Sequence, residues 1–306
     1  MATIAEAIGA ASELLRASSE SPLLDTQLLL SHVLKRERPW LLAHGDADLA
    51  RREYGHFKRL VERRAEGVPV AYLTQSAGFY GREFTVHSGV LVPRPETEHL
   101  VERALAEIDR AQLGGEAVRV LDVGTGSGAI AVTVACERPN LRVVATDRSV
   151  DALQVARTNA VRHGVARRVL LLCGDLHEPA APHAPFDLVL ANLPYVPTAA
   201  LPHAPQSAGY EPQLALDGGD DGLALYRRLL PALPRLLREG GAVLMEAAPP
   251  TIAGLQALAR AVFPGAGVDV VVDYGGRARV VCVLTREAGG APRNSTTQSE
   301  PSSSHA

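Results

Sequence analysis

Asp122-Val123-Gly124-Thr125-Gly126-Ser127-Gly128 stands between an apolar run, Val118 to Leu121, and a helical one, Ala129 to Glu137. Glycines in such a strand-to-helix turn let the backbone bend tightly and approach a ligand closely. Nicotinamide and flavin folds use a similar turn, so the glycines alone do not choose the ligand. Two details tilt the choice. The glycines alternate, at 124, 126 and 128, unlike the dinucleotide pattern. Asp122 precedes them, which suits a cationic ligand better than a pyrophosphate. The next apolar run ends in Asp147, about 20 residues past the glycines, where a carboxylate can accept from two ribose hydroxyls. The third ends in Gly174-Asp175-Leu176. Asp175 can accept from an adenine amino group, and Leu176 can cover the ring. Singly, Asp147 reads equally well as a helix cap beside Ser149, and Asp175 as a loop cap. As an ordered set at successive strand ends they read as a ligand site.

The fourth apolar run leads into Ala191-Asn192-Leu193-Pro194-Tyr195. Asn and Pro are turn formers, so a plain turn is one reading. The element also resembles the class I methyltransferases that modify planar amino groups through Asn-(Pro/Leu)-Pro-Tyr. That resemblance implies S-adenosyl-L-methionine as cofactor. An amide or exocyclic nitrogen is a poor nucleophile because its lone pair is delocalised. The Asn192 carboxamide oxygen and the Leu193 carbonyl offer two acceptors for its two hydrogens, which would aim the lone pair at the sulfonium methyl. Pro194 shapes the turn, and Tyr195 can form an aromatic wall beside the methyl. Rate would then come from orientation and preorganised dipoles. No strong general base is required before attack.

These residues need a scaffold that brings several strand ends together. Apolar runs at 118–121, 143–146, 169–173, 188–190, 242–245, 268–272 and 280–284 alternate with helical patterns at 129–137, 150–163, 223–237 and 251–262. Strands of this kind alternating with helices predict an α/β fold, a mostly parallel seven-stranded sheet with helices on both faces, and the resemblance implies its Rossmann-like class I methyltransferase form. The last two strands, joined by Tyr274-Gly275-Gly276-Arg277, predict an antiparallel hairpin at one edge. Ahead of this lies a small all-α domain over 1–75, with Ser21-Pro22 opening one helix and Pro39 and Gly45 punctuating others. A β-hairpin connector spans 76–95, with its turn at Gly81-Arg82. A helix follows Pro93-Arg94-Pro95, over Glu96 to Gln112. The catalytic domain covers 96–286, and a Gly, Pro, Ser and Thr tail from 287 to 306 is expected to be disordered.

Composition narrows the classes. The 306 residues carry a net charge of -3 and 4% aromatics, which argues against direct nucleic-acid binding. The basic run from Arg51 to Arg64 is diluted by Glu53 and Glu62 and reads as a solvated helix face. Cys136, Cys173 and Cys282 show no paired spacing. That pattern predicts free thiols buried in apolar packing, in a reducing compartment. Histidines and cysteines lack ligand spacing, so no metal is expected. The start lacks a basic leader and no segment reaches membrane-spanning length, so a cytoplasmic chain without membrane contact is expected.

The wider chain resembles the bacterial release factor glutamine methyltransferases. The likeness is carried by Arg63 to Leu73, Phe79 to Phe84, Val90-Leu91-Val92-Pro93-Arg94-Pro95-Glu96-Thr97-Glu98, and Tyr210 to Leu223 with Tyr226-Arg227. It implies methylation of the side-chain amide nitrogen of the glutamine in the Gly-Gly-Gln loop of class I peptide chain release factors, by an enzyme expected to be a monomer. It also implies that the helical domain and hairpin grip the factor. Gly124 to Gly128, Asp147, Leu176 and Asn192 would hold cofactor, and Asn192 to Tyr195 the glutamine. Pro93 to Glu96 would wall the site, with Arg94 or Glu96 alternatively in a structural salt bridge. Leu193 stands where the family usually has Pro, Gln75 and Gly78 where it has Gly and Glu, and the segment after Glu246 lacks the usual Gly and Gln. Competing readings are a nucleic-acid adenine methyltransferase, a glutamine methyltransferase for a large-subunit ribosomal protein, and a catalytically silent cofactor-binding protein.

Overall fold

The computed structural model describes residues 2–112, 117–203 and 206–285. The expected disordered tail lies outside them. By its contacts the chain divides into two compact units, Met1–Pro93 with Pro202–Ala215, and Arg94–Leu201 with Leu216–Ala306.

The first unit holds α1 (Ile4–Leu15), α2 (Pro22–Leu34), α3 (Arg38–Ala43), α4 (Arg51–Ala65), α5 (Val70–Thr74), and the antiparallel pair β1 (Ser76–Phe79) and β2 (Arg82–Thr85). Thr3 and Glu6 cap α1 reciprocally: the Glu6 carboxylate accepts from the Thr3 N–H at 2.9 Å, and Thr3 Oγ1 from the Glu6 N–H at 3.2 Å. Pro22 sits in the first turn of α2, where its missing N–H costs nothing. Ile4, Ile8, Leu15, Leu29, Leu30, Phe57 and Leu60 meet in one core, where burying each such side chain contributes about 1.5–3 kcal/mol. The basic face of α4 is mostly solvated, but Arg64 is not. It is only 13% exposed and pairs with Asp25 at 2.7 Å.

The hairpin turn is Tyr80-Gly81 rather than Gly81-Arg82. Phe79 pairs with Arg82, and both turn residues have positive φ, 50° and 68°. A two-residue hairpin needs that conformation to match strand twist. Gln75, standing where the family usually has glycine, closes α5 with φ 56°. A left-handed helix end is a position glycine favours, and Gln adopts it at a cost of about 1–2 kcal/mol.

In the second unit a 3-10 turn, Pro95–Thr97, leads into α6 (Glu98–Gln112). Then come β3 (Val118–Val123), α7 (Ala129–Glu137), β4 (Leu141–Asp147), α8 (Val150–Arg162), β5 (Val169–Cys173) and β6 (Phe186–Ala191). After Leu216 follow α9 (Ala224–Leu229), α10 (Leu233–Leu236), β7 (Leu237–Glu246), α11 (Ile252–Val262), β8 (Gly267–Val272) and β9 (Ala278–Leu284). The sheet order is β5-β4-β3-β6-β7-β9-β8. The first five strands in that order are parallel, and β9 runs antiparallel to β7 and β8. This is the expected seven-stranded Rossmann-like fold with its edge hairpin.

Alternate residues do the packing, as the strand period requires. Leu121 and Val123, Val189 and Ala191, Val243 and Met245, and Val281 and Val283 share a core with Tyr226, Leu229, Leu233 and Leu255. The opposite parity faces α6, whose Leu100, Val101, Ala104 and Ile108 are fully buried. The continuous helix expected over 223–237 is broken. Pro231 lies in a 3-10 turn, Leu230–Ala232, and Leu237 already pairs with Phe186 as the first residue of β7. Pro231 and Pro234 lack the N–H a helix needs and crowd the preceding turn.

The cysteines also correct an expectation. Only Cys282, on β9 inside the sheet, is buried; Cys136 is half-buried and Cys173 exposed. Cys173 ends the edge strand β5, so its apolar neighbours do not enclose it.

Candidate active site at the carboxyl ends of the central strands

The chain turns back across the sheet between β3 and β6, the point where open parallel sheets bind ligands. The glycine loop follows β3 there, and Asn192 follows β6. An added Cβ at Gly124 would lie 2.9 Å from Leu193 Cδ2 and 3.9 Å from the Asn192 carbonyl oxygen, so the two elements adjoin.

The glycine loop is held from within. The N–H groups of Gly124 and Thr125 both donate to the Thr146 carbonyl at 2.9 Å. Gly126 N–H donates to Asp147 Oδ2 at 2.8 Å, and Gly128 N–H to the Thr125 carbonyl at 2.8 Å. These donors are therefore committed to protein acceptors, unlike the free N–H groups that cradle a pyrophosphate. Gly124, Gly126 and Gly128 have φ of 74°, 54° and 80°. At Gly128 a Cβ would press on Ala156 at 3.0 Å, so that glycine serves helix packing, whereas at Gly126 it would meet nothing within 4 Å. Asn159 is fully buried and donates to the Ser127 carbonyl at 2.8 Å.

Asp122 is fully buried. Its Oδ2 accepts from Thr125 Oγ1 at 2.6 Å and from the Ala131 N–H at 3.2 Å, while Oδ1 has no hydrogen-bond partner among the described residues. Burial pushes its carboxyl up to about 7 against those bonds. Asp147 accepts backbone bonds on both oxygens. Its Oδ1 accepts from the N–H of Ser149, the α8 cap, at 2.9 Å while Oδ2 braces the loop. Burial raises its carboxyl too. Each carboxylate oxygen keeps a second lone pair. Leu176 adopts the left-handed φ of 45°, and its carbonyl accepts from Thr146 Oγ1 at 2.7 Å. The Asp175 carboxylate is bonded by Arg228 of α9.

The turn after β6 is held by residues far away in the chain. Asn192 Nδ2 donates to Thr97 Oγ1 at 3.0 Å. Leu193 N–H donates to Tyr226 Oη at 3.3 Å, and that hydroxyl donates in turn to the Glu246 carbonyl at the end of β7. Tyr226 is fully buried. Tyr195 Oη lies 3.4 Å from Glu246 Oε1. Burial and the neighbouring carboxyl raise the Tyr195 phenol further above its ordinary range, so it stays neutral and cannot act as a base. Glu246 is 1% exposed. Burial pushes its carboxyl up to about 7, opposed by hydrogen bonds from Thr97 and Tyr195 and by the Arg279 charge. Arg279 pairs with Glu96 at 3.5 Å and Asp273 at 2.9 Å, which puts Glu96 in a salt bridge.

Two further glycines lie against the turn. An added Cβ at Gly218 would sit 2.7 Å from the Pro194 carbonyl oxygen, and at Gly222 2.3 Å from that of Tyr195. Val196 and Asp217 form a bridge across this contact: Val196 N–H donates to the Leu216 carbonyl at 3.0 Å and Gly218 N–H to the Val196 carbonyl at 2.8 Å.

Asp122, the loop 124–128, Asp147, Asp175 and Leu176 thus follow three adjacent strand ends, beside Asn192 to Tyr195. Thr97, Tyr226, Glu246, Gly218 and Gly222 were not anticipated as site residues. Glu246 left one signal, a carboxylate closing the apolar run Ala242 to Met245. Thr97 and Tyr226 left none beyond lying in recognisable segments. The cradle fits a cationic nucleoside. The N–H groups of Gly124, Thr125, Gly126 and Gly128 are committed, Asp122 Oδ1 is a buried acceptor without a donor among the described residues, and space lies open over Gly126.

Among the described residues no helix is long and apolar enough to cross a membrane, and no cluster of three or more His, Cys, Asp or Glu could hold a metal ion.

Comparison with known proteins agrees. The PrmC N-terminal domain family matches residues 6–74, and a methyltransferase domain family matches residues 115–261. A methyltransferase structure from Pyrococcus furiosus shares the fold at 18% identity and a TM-score of 0.50, covering 74% of this chain and 98% of that one. The release factor glutamine methyltransferase of Xylella fastidiosa strain 9a5c is 45% identical over 73% of this chain and 79% of its own length. That of Moorella thermoacetica is 42% identical over 93% of this chain and 99% of its own length. With a likeness of that extent running through both the helical segment and the sheet, this chain belongs to the release factor glutamine methyltransferase family.

Proposed function

We propose that this chain transfers a methyl group from S-adenosylmethionine to the side-chain amide nitrogen of the glutamine in the Gly-Gly-Gln loop of class I peptide chain release factors. The observation that carries the reading is the Asn192 side chain. Its Nδ2 is tied back to Thr97, which leaves Oδ1 as the group to offer a substrate.

S-adenosylmethionine supplies an electrophilic methyl on a sulfonium. The protein's part is to hold and aim. Asn192 Oδ1 and the Leu193 carbonyl accept the two amide hydrogens of the glutamine. Held so, the nitrogen's lone pair is drawn out of conjugation and pointed at the methyl. Leu193 serves as well as Pro here because its contribution is a backbone carbonyl, and its N–H is anchored on Tyr226. Tyr195 walls the methyl path as a neutral ring. On the cofactor side, Asp147 accepts from ribose hydroxyls with its remaining lone pairs, Asp175 from the adenine amino group with its second oxygen, and Leu176 covers the ring. Asp122 braces the loop from beneath through Thr125 and the Ala131 N–H, and Gly124, Thr125, Gly126, Ser127 and Gly128 let the ligand approach the backbone.

We assign recognition of the release factor to residues 1–75 with the hairpin connector 76–95, and the chemistry to 96–286. The enzyme then works as a monomer in the cytoplasm, without contacting nucleic acid directly.

The test is transfer of labelled methyl from S-adenosylmethionine to a purified release factor, beside one whose loop glutamine is replaced. Label on the normal factor alone supports the assignment. Label on a large-subunit ribosomal protein or on RNA, with none on the release factor, overturns it.

A further inference from the structure

A peptide bond that precedes glycine can turn over, because glycine accepts φ of either sign. The turned peptide shows its carbonyl where its N–H belonged. The glycine loop has three such bonds in close succession, Val123-Gly124, Thr125-Gly126 and Ser127-Gly128. The freedom that lets the loop approach a ligand therefore also threatens its shape. The first two are held at their N–H by the end of β4, Gly124 at the Thr146 carbonyl and Gly126 at Asp147 Oδ2. In the third, Gly128 N–H turns inward to the Thr125 carbonyl of the loop itself, at 2.8 Å.

Asn159 of α8 ties this third peptide to the sheet's helical layer. Its Nδ2 donates to the Ser127 carbonyl at 2.8 Å, across 32 residues of chain. A carbonyl can only accept, so the nitrogen end of the carboxamide faces it and the bond has one direction. Asn159 is 0% exposed. The other buried residues of α8, Ala152, Val155, Ala156 and Ala160, are apolar. A polar side chain among them carries a burial cost that its bonds must offset. The helix is itself fixed against the loop. Ala156, one turn before Asn159, occupies the space that a Cβ on Gly128 would need, and Ser149 N–H at the helix start shares the Asp147 carboxylate with Gly126.

We propose that Asn159 is a positioning residue for the cofactor. By holding the Ser127 carbonyl toward α8, it sets the glycine loop in the form that accepts S-adenosylmethionine before the cofactor arrives. Asn159 need not touch the cofactor to do so. The inference rests on the reading of this loop as the seat of S-adenosylmethionine, and it does not depend on which substrate is methylated.

The experiment titrates labelled S-adenosylmethionine by equilibrium dialysis against the full chain carrying Asn159→Leu, of nearly the same volume, or Asn159→Ala. Methyl transfer to a purified release factor is followed alongside at saturating cofactor. Apparent affinity falls with the fraction of chains whose loop is in the accepting form, so Kd is expected to rise about five- to fiftyfold on loss of this buried bond. At saturating cofactor kcat stays within about twofold of wild type, because a bound ligand selects the accepting loop. A purely structural asparagine would lower the denaturation midpoint and leave the Kd of the folded chain unchanged. Hydrogen exchange on the wild-type chain keeps the inference testable if neither variant folds. The Gly128 amide is expected to be protected without cofactor and no more than about threefold slower with it. A wild-type Kd in either folded variant, a loss of kcat with Kd kept, or a Gly128 amide protected only when cofactor is bound would each overturn the role of Asn159. A wild-type chain that binds S-adenosylmethionine but methylates no release factor would instead overturn the functional reading alone.

Discussion

The glycine loop and the Asn192 turn lie side by side but are held in different ways. The loop is braced by Asp122, Thr146 and Asp147, on the strand it leaves or the one that follows, and by Asn159 of the next helix. The Asn192 turn is held by Thr97, Tyr226 and Glu246 and by the glycines at 218 and 222, from four other places in the chain. The glycine loop is thus a local device, built within the segment from β3 to α8. The substrate side is an assembly that exists only once the whole sheet has formed. Damage on the two sides should therefore differ in kind.

The largest effect is expected on the substrate side. Asn192→Ala removes a preorganised acceptor and should lower kcat about 10²–10³-fold, while equilibrium dialysis finds cofactor binding largely kept. Wild-type turnover would remove the distinction between the two sides altogether.

A matched pair of glycines sharpens it. Gly222→Ala places a methyl 2.3 Å from the Tyr195 carbonyl oxygen at φ 76°, and should cost about 2–4 kcal/mol in urea denaturation with loss of turnover. Gly126→Ala at φ 54° meets no atom within 4 Å, so it should cost only the conformational term, about 1–2 kcal/mol. Equal costs would show that the turn is not clamped as the structure has it.

Next comes Tyr226→Phe. It strips the partner from the Leu193 N–H inside a fully buried setting, which costs about 1–3 kcal/mol. Turnover should fall with it, because the Leu193 carbonyl loses its anchor.

The smallest effect is a pH dependence shared by both sides. Asp122 and Glu246 are pushed up to about 7 by burial. Each holds its proton more tightly folded than unfolded. The stability they contribute is complete below the ordinary carboxylate range and is lost as pH rises through about 7. Asp122→Asn and Glu246→Gln should each flatten the fall in denaturation midpoint between about pH 4 and 8, relative to wild type. Parallel curves would show that neither carboxyl titrates in that window.

How far each side could be read in advance follows the same division. The strand-helix alternation, the sheet with its edge hairpin, and the glycine loop with Asp147 were legible because period, turn chemistry and strand ends are properties of short segments. Misreadings arose where a neighbour overrode a segment's pattern. The apolar run ending in Cys173 reads as buried, yet β5 lies at the sheet edge and exposes it. The run over 223–237 has helical spacing, yet its prolines break it.

By itself the sequence determined the order of the elements, the carboxylates and glycines at successive strand ends, and the residue types of the Asn192 turn, because each is encoded within a few residues. Only the tertiary structure decided which way those groups face. Thr97 lies 95 residues from Asn192 and Glu246 lies 51 from Tyr195. Such contacts join segments that only the folded sheet brings together, which no local pattern records.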